Sequence, residues 1–136
     1  MIKGQTLYVA NAGDSRAVLA VNGKAEEMSQ DHKPELEEER KRIEKAGSSI
    51  IEGRVDGNLN LSRSIGDLKY KREKLIKPQD QPITAFPEVR KRELTKNCDF
   101  LVMACDGIWE AKSSQEVVDY IYNKLKKGPP KLSMVI

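Results

Sequence analysis

Histidine is nearly missing from this 136-residue chain, with His32 standing alone. A single imidazole excludes a metal cluster built on several histidines within the chain. Cysteine is almost as scarce. Cys98 and Cys105 flank an apolar stretch, which predicts two buried thiols in a reducing compartment rather than a disulfide framework. No apolar run reaches the roughly 18 residues of a membrane span. The basic start and apolar core of a signal peptide are also lacking. These features predict no membrane partner and a cytoplasmic or nuclear location. An excess of one charge is nearly absent too. Lys+Arg is 24 and Asp+Glu is 21, giving +3, too little to argue for nucleic acid by itself.

What the chain does have is charge of both signs, at 33% of residues against the roughly 25% usual in globular domains. Its length fits one domain able to bury a core without staples. Residues 5–11 are rich in strand formers, Ala12-Gly-Asp-Ser15 is turn-like, and Arg16–Val21 resumes the apolar pattern. This predicts a hairpin across the Gly-Asp-Ser turn. Asn22-Gly23 predicts a second hairpin into a short strand at 25–29, completing an antiparallel meander. Pro34 and Gly47 bracket a charged helix with a narrow apolar stripe of Leu36, Ile43 and Ala46. Within it, Glu37 with Lys41 and Glu38 with Arg42 have i,i+4 spacing. Short strands are expected at 48–52 and 59–61. Residues 62–87 show no sustained periodicity, and so long a loop is more often functional than idle. Val89–Leu94 reads as a charged edge strand. Phe100–Cys105 reads as a central strand buried on both faces, with Cys98 and Cys105 pointing opposite ways. Ser113-Ser-Gln-Glu116 is a capping box that opens a helix through Val117, Val118, Ile121, Tyr122 and Leu125. Gly128-Pro129-Pro130 stops it, and apolar Leu132–Ile136 ends without cap or turn.

Several side chains carry chemistry. Asp106-Gly107 follows the buried strand directly. It reads either as a rigid oxygen ligand for a hard cation such as Mg²⁺ or Mn²⁺, or as a strand-ending turn. Asp14 at a turn tip and Asp67 in the long loop are turn residues on their own. Glu110 lies near enough to Asp106 to share a site or to face solvent. Arg63 suits bidentate phosphate binding or an ion pair. The basic stretch Lys69–Lys77 could attract an acidic partner, or be a solvated loop. Its single Tyr gives little support to nucleic-acid binding.

Four segments together are more specific than any one. Val9–Leu19, Asp31-His-Lys-Pro34 with Glu39, Arg42-Ile43 and Ala46-Gly47, Leu61–Asp67, and Ala104–Trp109 resemble, in order and spacing, the metal-dependent protein serine/threonine phosphatases of the PPM or type-2C family. The resemblance implies an α+β fold: an α-β-β-α sandwich of antiparallel sheets flanked by helices, here partial and forming one domain over 1–136. It implies two core Mg²⁺ or Mn²⁺ ions and a metal-bound water that attacks phosphoserine or phosphothreonine in phosphoprotein substrates. Asp106 would ligate a core metal, and Asp14 a weaker third ion. Glu110 stands at that third site where the family usually carries Asp. Arg63 and Asp67 would belong to a substrate-facing flap at about 67–83. His32 belongs to the Asp-His-Lys-Pro turn and is not the family's acid.

The family's Asp-Gly-His motif, its phosphate-gripping arginine and its Asp-Asn motif do not occur here. No catalytic residue is therefore assigned. The expectation is a truncated phosphatase domain, inactive alone, binding metal weakly at most, and open to self-association or strand exchange through uncovered sheet edges. The other expectation is a non-catalytic pseudophosphatase or interaction module.

Overall fold

The computed structural model describes residues 1–126 and Gly128. The chain divides into two compact units, one of Met1–Val9, Arg16–Ser29 and the chain from Arg90, the other of Ala10–Ser15 and Gln30–Val89. The architecture is mixed helix and antiparallel sheet, as expected for an α+β fold.

β1 (Ile2–Lys3), β2 (Thr6–Asn11) and β7 (Glu88–Glu93) form one sheet in the order β1-β2-β7, with Thr6–Val9 of β2 and Arg90–Glu93 of β7 in the first unit. A second sheet has the order β4-β3-β8, from β3 (Arg16–Val21), β4 (Lys24–Glu27) and β8 (Cys98–Ala104). β3 organises the unit because its two faces both bury apolar side chains. Ala17 and Leu19 join Leu7, Val9 and Met28 in a core between the sheets. Val18 and Ala20 alternate to the other face and meet Trp109, Val117 and Val118. The helix α3 (Ser114–Lys126) covers that second face, and the short α2 (Asp106–Trp109) precedes it. Two sheets and one helical layer thus stack within this unit.

The Asn22-Gly23 expectation holds. β3 and β4 pair antiparallel from Val21↔Lys24 onward. Asn22 and Gly23 both have left-handed φ, 50° and 76°, as a type I′ turn needs. The expected hairpin across Gly13-Asp14-Ser15 does not form. β2 and β3 lie in different sheets, so this turn carries the chain from one sheet to the other. Both strands must bury apolar faces, and both do so by entering separate sheets over a shared core.

The strand at Phe100–Cys105 also differs from expectation. Among the described residues β8 has a strand partner on one side only, β3. None of its residues is fully buried, and Met103 is 69% exposed. The thiols are not a buried pair either: Cys98 is half-buried and Cys105 exposed. A register irregularity between Ala20 and Val21 brings Cys98 onto the core that Leu101 joins.

The capping box forms as expected. The Ser113 amide donates to Glu116 Oε2 at 2.8 Å, and the Glu116 amide to Ser113 Oγ at 3.3 Å. The helix-stopping Pro129-Pro130 and the 132–136 segment lie outside the described residues.

The second unit is built on α1 (Glu37–Lys45) and the hairpin of β5 (Ile50–Ile51) with β6 (Arg54–Val55). α1 starts later than Pro34 suggested, with Leu36 as its first cap. Ile43, Val55 and Ile83 form a fully buried cluster, with Ile50, Leu59 and Tyr70 packed against it. Leu59–Leu61 contributes a single bridge, Val55↔Leu59, rather than a strand. Within the long loop, only Leu68–Tyr70 and Pro78–Asp80 are regular, each one turn of 3₁₀ helix.

Candidate functional site

The second unit gathers an ionic network around one helical carboxylate. Glu39 lies four residues before Ile43, on the face of α1 that the core buries, and its side chain is 3% exposed. Ser62 Oγ donates to its Oε2 at 2.5 Å. Arg42 Nη1 donates to Oε2 at 2.7 Å. Arg63 grips the same carboxylate side-on, with Nη2 donating to Oε1 at 2.6 Å and Nε reaching both oxygens, Oε1 at 3.0 Å and Oε2 at 3.2 Å. Such bidentate, charge-assisted bonds are among the strongest a side chain makes. Burial alone would raise the Glu39 pKa, but the hydrogen bonds from Arg63, Ser62 and Arg42 and the charge of Arg42 bring it down to about 2.

Both guanidinium groups also serve carbonyls. Arg42 donates to Ser62 O at 2.6 Å and Gln81 O at 3.1 Å, and Arg63 to Phe86 O at 3.1 Å. The expected Glu38–Arg42 pair is therefore replaced by Glu39–Arg42, whereas Glu37–Lys41 forms at 2.8 Å on the exposed face.

Beside this network, His32 is 3% exposed. Its Nδ1 lies within hydrogen-bond reach of both the Gly13 amide, at 3.3 Å, and the Gly13 carbonyl oxygen, at 3.1 Å. Gly13 has φ +140°, a conformation open to glycine, which lets the turn backbone face the ring. Asn11 Nδ2 steadies the same turn by donating to Gly13 O at 3.1 Å and Gln30 O at 3.0 Å. Burial and the charge of Arg63 lower the His32 pKa, against smaller opposing effects from Glu39, the Gly13 backbone and Glu88. Asp14, next in the turn, is paired with Lys33 Nζ at 2.5 Å. A cavity of about 470 Å³ opens here, lined by residues including His32, Glu38, Glu39, Arg63 and Glu88. Asp67 is exposed, with φ +48°, and leads into the first 3₁₀ turn.

In the first unit, Asp106 is half-buried and opens α2 directly after β8 and Cys105. Its carbonyl accepts the Glu110 amide at 2.8 Å, while the Glu110 side chain is exposed. Trp109 anchors this junction, donating from Nε1 to Ala104 O at 2.8 Å. Arg16 stacks 5.4 Å from the Trp109 ring. It also donates to Ser114 Oγ at 3.0 Å, and Ser114 Oγ donates to Glu27 at 2.7 Å.

The family model described as protein phosphatase 2C matches residues 1–136. The chain belongs to the protein phosphatase 2C family. It is 54% identical over 121 residues to protein phosphatase 2C homolog 2 of Hypocrea jecorina, covering 89% of this chain and 28% of that protein. It is 51% identical over 126 residues to probable protein phosphatase 2C 6 of Paramecium tetraurelia, covering 93% of this chain and 43% of that one. Among solved structures, a phosphatase from Toxoplasma gondii superposes with a TM-score of 0.85 at 35% identity, over 96% of this chain and 40% of that chain. The chain thus spans less than half the length of these relatives.

The family implies a divalent metal centre, and the donor set here tests it. Asp14, Asp106 and Glu110 offer the hard oxygens such ions take. Yet among the described residues no group of three or more His, Cys, Asp or Glu is gathered to hold an ion. Asp14 already carries a cationic partner in Lys33. The described residues of this phosphatase-family chain therefore do not fit a metal centre by themselves.

Glu39 and Arg42 belong to the quoted family segments, but spacing alone pairs Arg42 with Glu38 and leaves Glu39 without a role. The available signal was position: a carboxylate in step with Ile43 must be buried with it, and a buried carboxylate needs cationic partners.

Proposed function

We infer that the chain is part of a Mg²⁺- or Mn²⁺-dependent phosphatase that hydrolyses phosphoserine and phosphothreonine in proteins. The observation that carries this is the family match along all 136 residues. In this reading Asp106 is the carboxylate that the chain lends to a core ion. Its place at a strand-to-helix junction fits that task, because both the strand end and the Trp109 anchor restrict its backbone. Asp14 and Glu110 are the donors for a weaker ion. Arg63 and Asp67 bound the flap of about 67–83, which meets the phosphoprotein. Residues 1–136 form one partial domain, and the other ligands and the proton-donating acid come from the length that the relatives have and this chain does not.

It follows that the 136 residues alone are not a catalyst. Incubated with a phosphothreonine peptide and Mn²⁺, the purified chain should release no phosphate above the buffer rate. Robust metal-dependent release would overturn this, and would mean that a second copy completes the centre.

A non-catalytic interaction module is the second reading. Glu110 favours it, since this exposed side chain is longer than the aspartate usual in the family. The coding sequence around these codons separates the two. Asp-Gly-His before them and Asp-Asn after them belong to an enzyme, and replacement of both belongs to the module.

A further inference from the structure

The residues that follow Ser62 leave the body of the second unit and return at Gln81. Between them, residues 65–80 carry the exposed apolar side chains Ile65, Leu68 and Leu75. Lys69, Arg72, Lys74 and Lys77 stand exposed among them. This arm is closed at its base by backbone bonds, with the Ser64 amide donating to Thr84 O at 3.0 Å and a parallel bridge at Arg63↔Thr84. It is shaped from within. Gln81 Nε2 donates to Glu73 O at 2.7 Å and Ile76 O at 3.0 Å, and Lys71 Nζ donates to Ser64 O at 2.7 Å.

What attaches both feet of the arm to α1 is the pair of arginines. Arg42 takes Ser62 O on the outgoing foot and Gln81 O on the returning one. Arg63, itself on the outgoing foot, takes Phe86 O on the returning one. Their side chains are only 13% and 16% exposed, and both rest on the Glu39 carboxylate. Two guanidinium charges sharing so dry a place need an anion between them. Glu39 also takes the Ser62 hydroxyl, so a single carboxylate organises every side-chain link between helix and feet described here. Tyr70 adds a separate apolar contact to the core cluster, which holds the arm's middle without fixing its feet.

We propose that Glu39 is a positioning residue. Its carboxylate, held between Arg42 and Arg63, sets where the 65–80 arm stands and so how that arm meets a phosphoprotein. The identity of what the arm meets rests on the phosphatase reading; the positioning does not. The role is electrostatic rather than steric, because glutamine has the same shape as glutamate but leaves both arginines without an anion.

The test is amide hydrogen exchange on the 136-residue chain, with Arg Nε–H signals followed by NMR. Neither needs catalysis, so failure of the phosphatase reading leaves the result interpretable. In Glu39→Gln, exchange across 62–64 and 81–86 should quicken by about tenfold or more. The Arg42 and Arg63 Nε–H signals should lose protection, while β3 and α3 keep theirs. Wild-type exchange in Glu39→Gln would overturn the proposal, since packing alone would then hold the feet. Should Glu39→Gln unfold the chain, Arg63→Lys decides. It keeps the charge but loses the side-on grip and the Phe86 carbonyl. Faster exchange confined to 81–86 would support the proposal, and unchanged exchange would overturn it.

Discussion

Two buried titratable side chains in the second unit give stability a pH dependence with two separate origins. Burial keeps His32 below its ordinary 6.5, so the folded state binds fewer protons there than the unfolded chain. Stability from this site is present above about 6.5 and declines as pH falls below it. Glu39, lowered from 4.5 to about 2, is stabilising above the unfolded value and loses that contribution as pH falls from 4.5 toward 2. Urea denaturation across this range should therefore show two successive losses. His32→Asn should flatten the first and Glu39→Gln the second. A profile in which neither variant changes its own limb would contradict these assignments. His32 was legible as part of a turn from Asp-His-Lys-Pro alone. Its burial was not, because that depends on Gly13 arriving from a segment distant in sequence. Glu39 was legible as a buried charge only in retrospect, since its two arginine partners lie one turn away and across the loop.

At the scale of elements, local signals were read well and pairings less so. The Asn-Gly turn and the Ser-x-x-Glu box act within a few residues, and both form as expected. The Gly-Asp-Ser turn looked equally local, yet its strands go to different sheets, a choice made by tertiary burial of Leu7 and Val9 against Ala17 and Leu19. β8 looked central because its apolar run is continuous, and periodicity cannot tell how many strands lie beside it. The same division should appear in energetics. Ser113→Ala removes a cap on an exposed helix start and should cost about 1 kcal/mol. Ile43→Ala opens a cavity in the second unit's core, where Ile43 is 0% exposed, and should cost about 2–5 kcal/mol. Urea midpoints of the two variants check this, and equal costs would mean that the Ile43 cluster collapses to fill the space.

For the whole molecule, the family and its fold were legible because four motif segments fall in the family's order, and the match extends over residues 1–136. The metal centre was less so. Motifs name carboxylates one at a time, whereas a centre needs them gathered, and the described residues assemble no such group. Asp106 opens a helix at a strand end, Asp14 is paired with Lys33, and the Glu110 side chain is exposed. In the proposed reading the chain carries a scaffold and part of a ligand set. The most direct measurement is calorimetric titration of the purified chain with Mn²⁺. Weak binding or none is expected, and Asp106→Asn should abolish whatever signal a core-type donor gives. Two tight sites on the wild-type chain, both retained in Asp106→Asn, would contradict this reading of where the metal ligands lie.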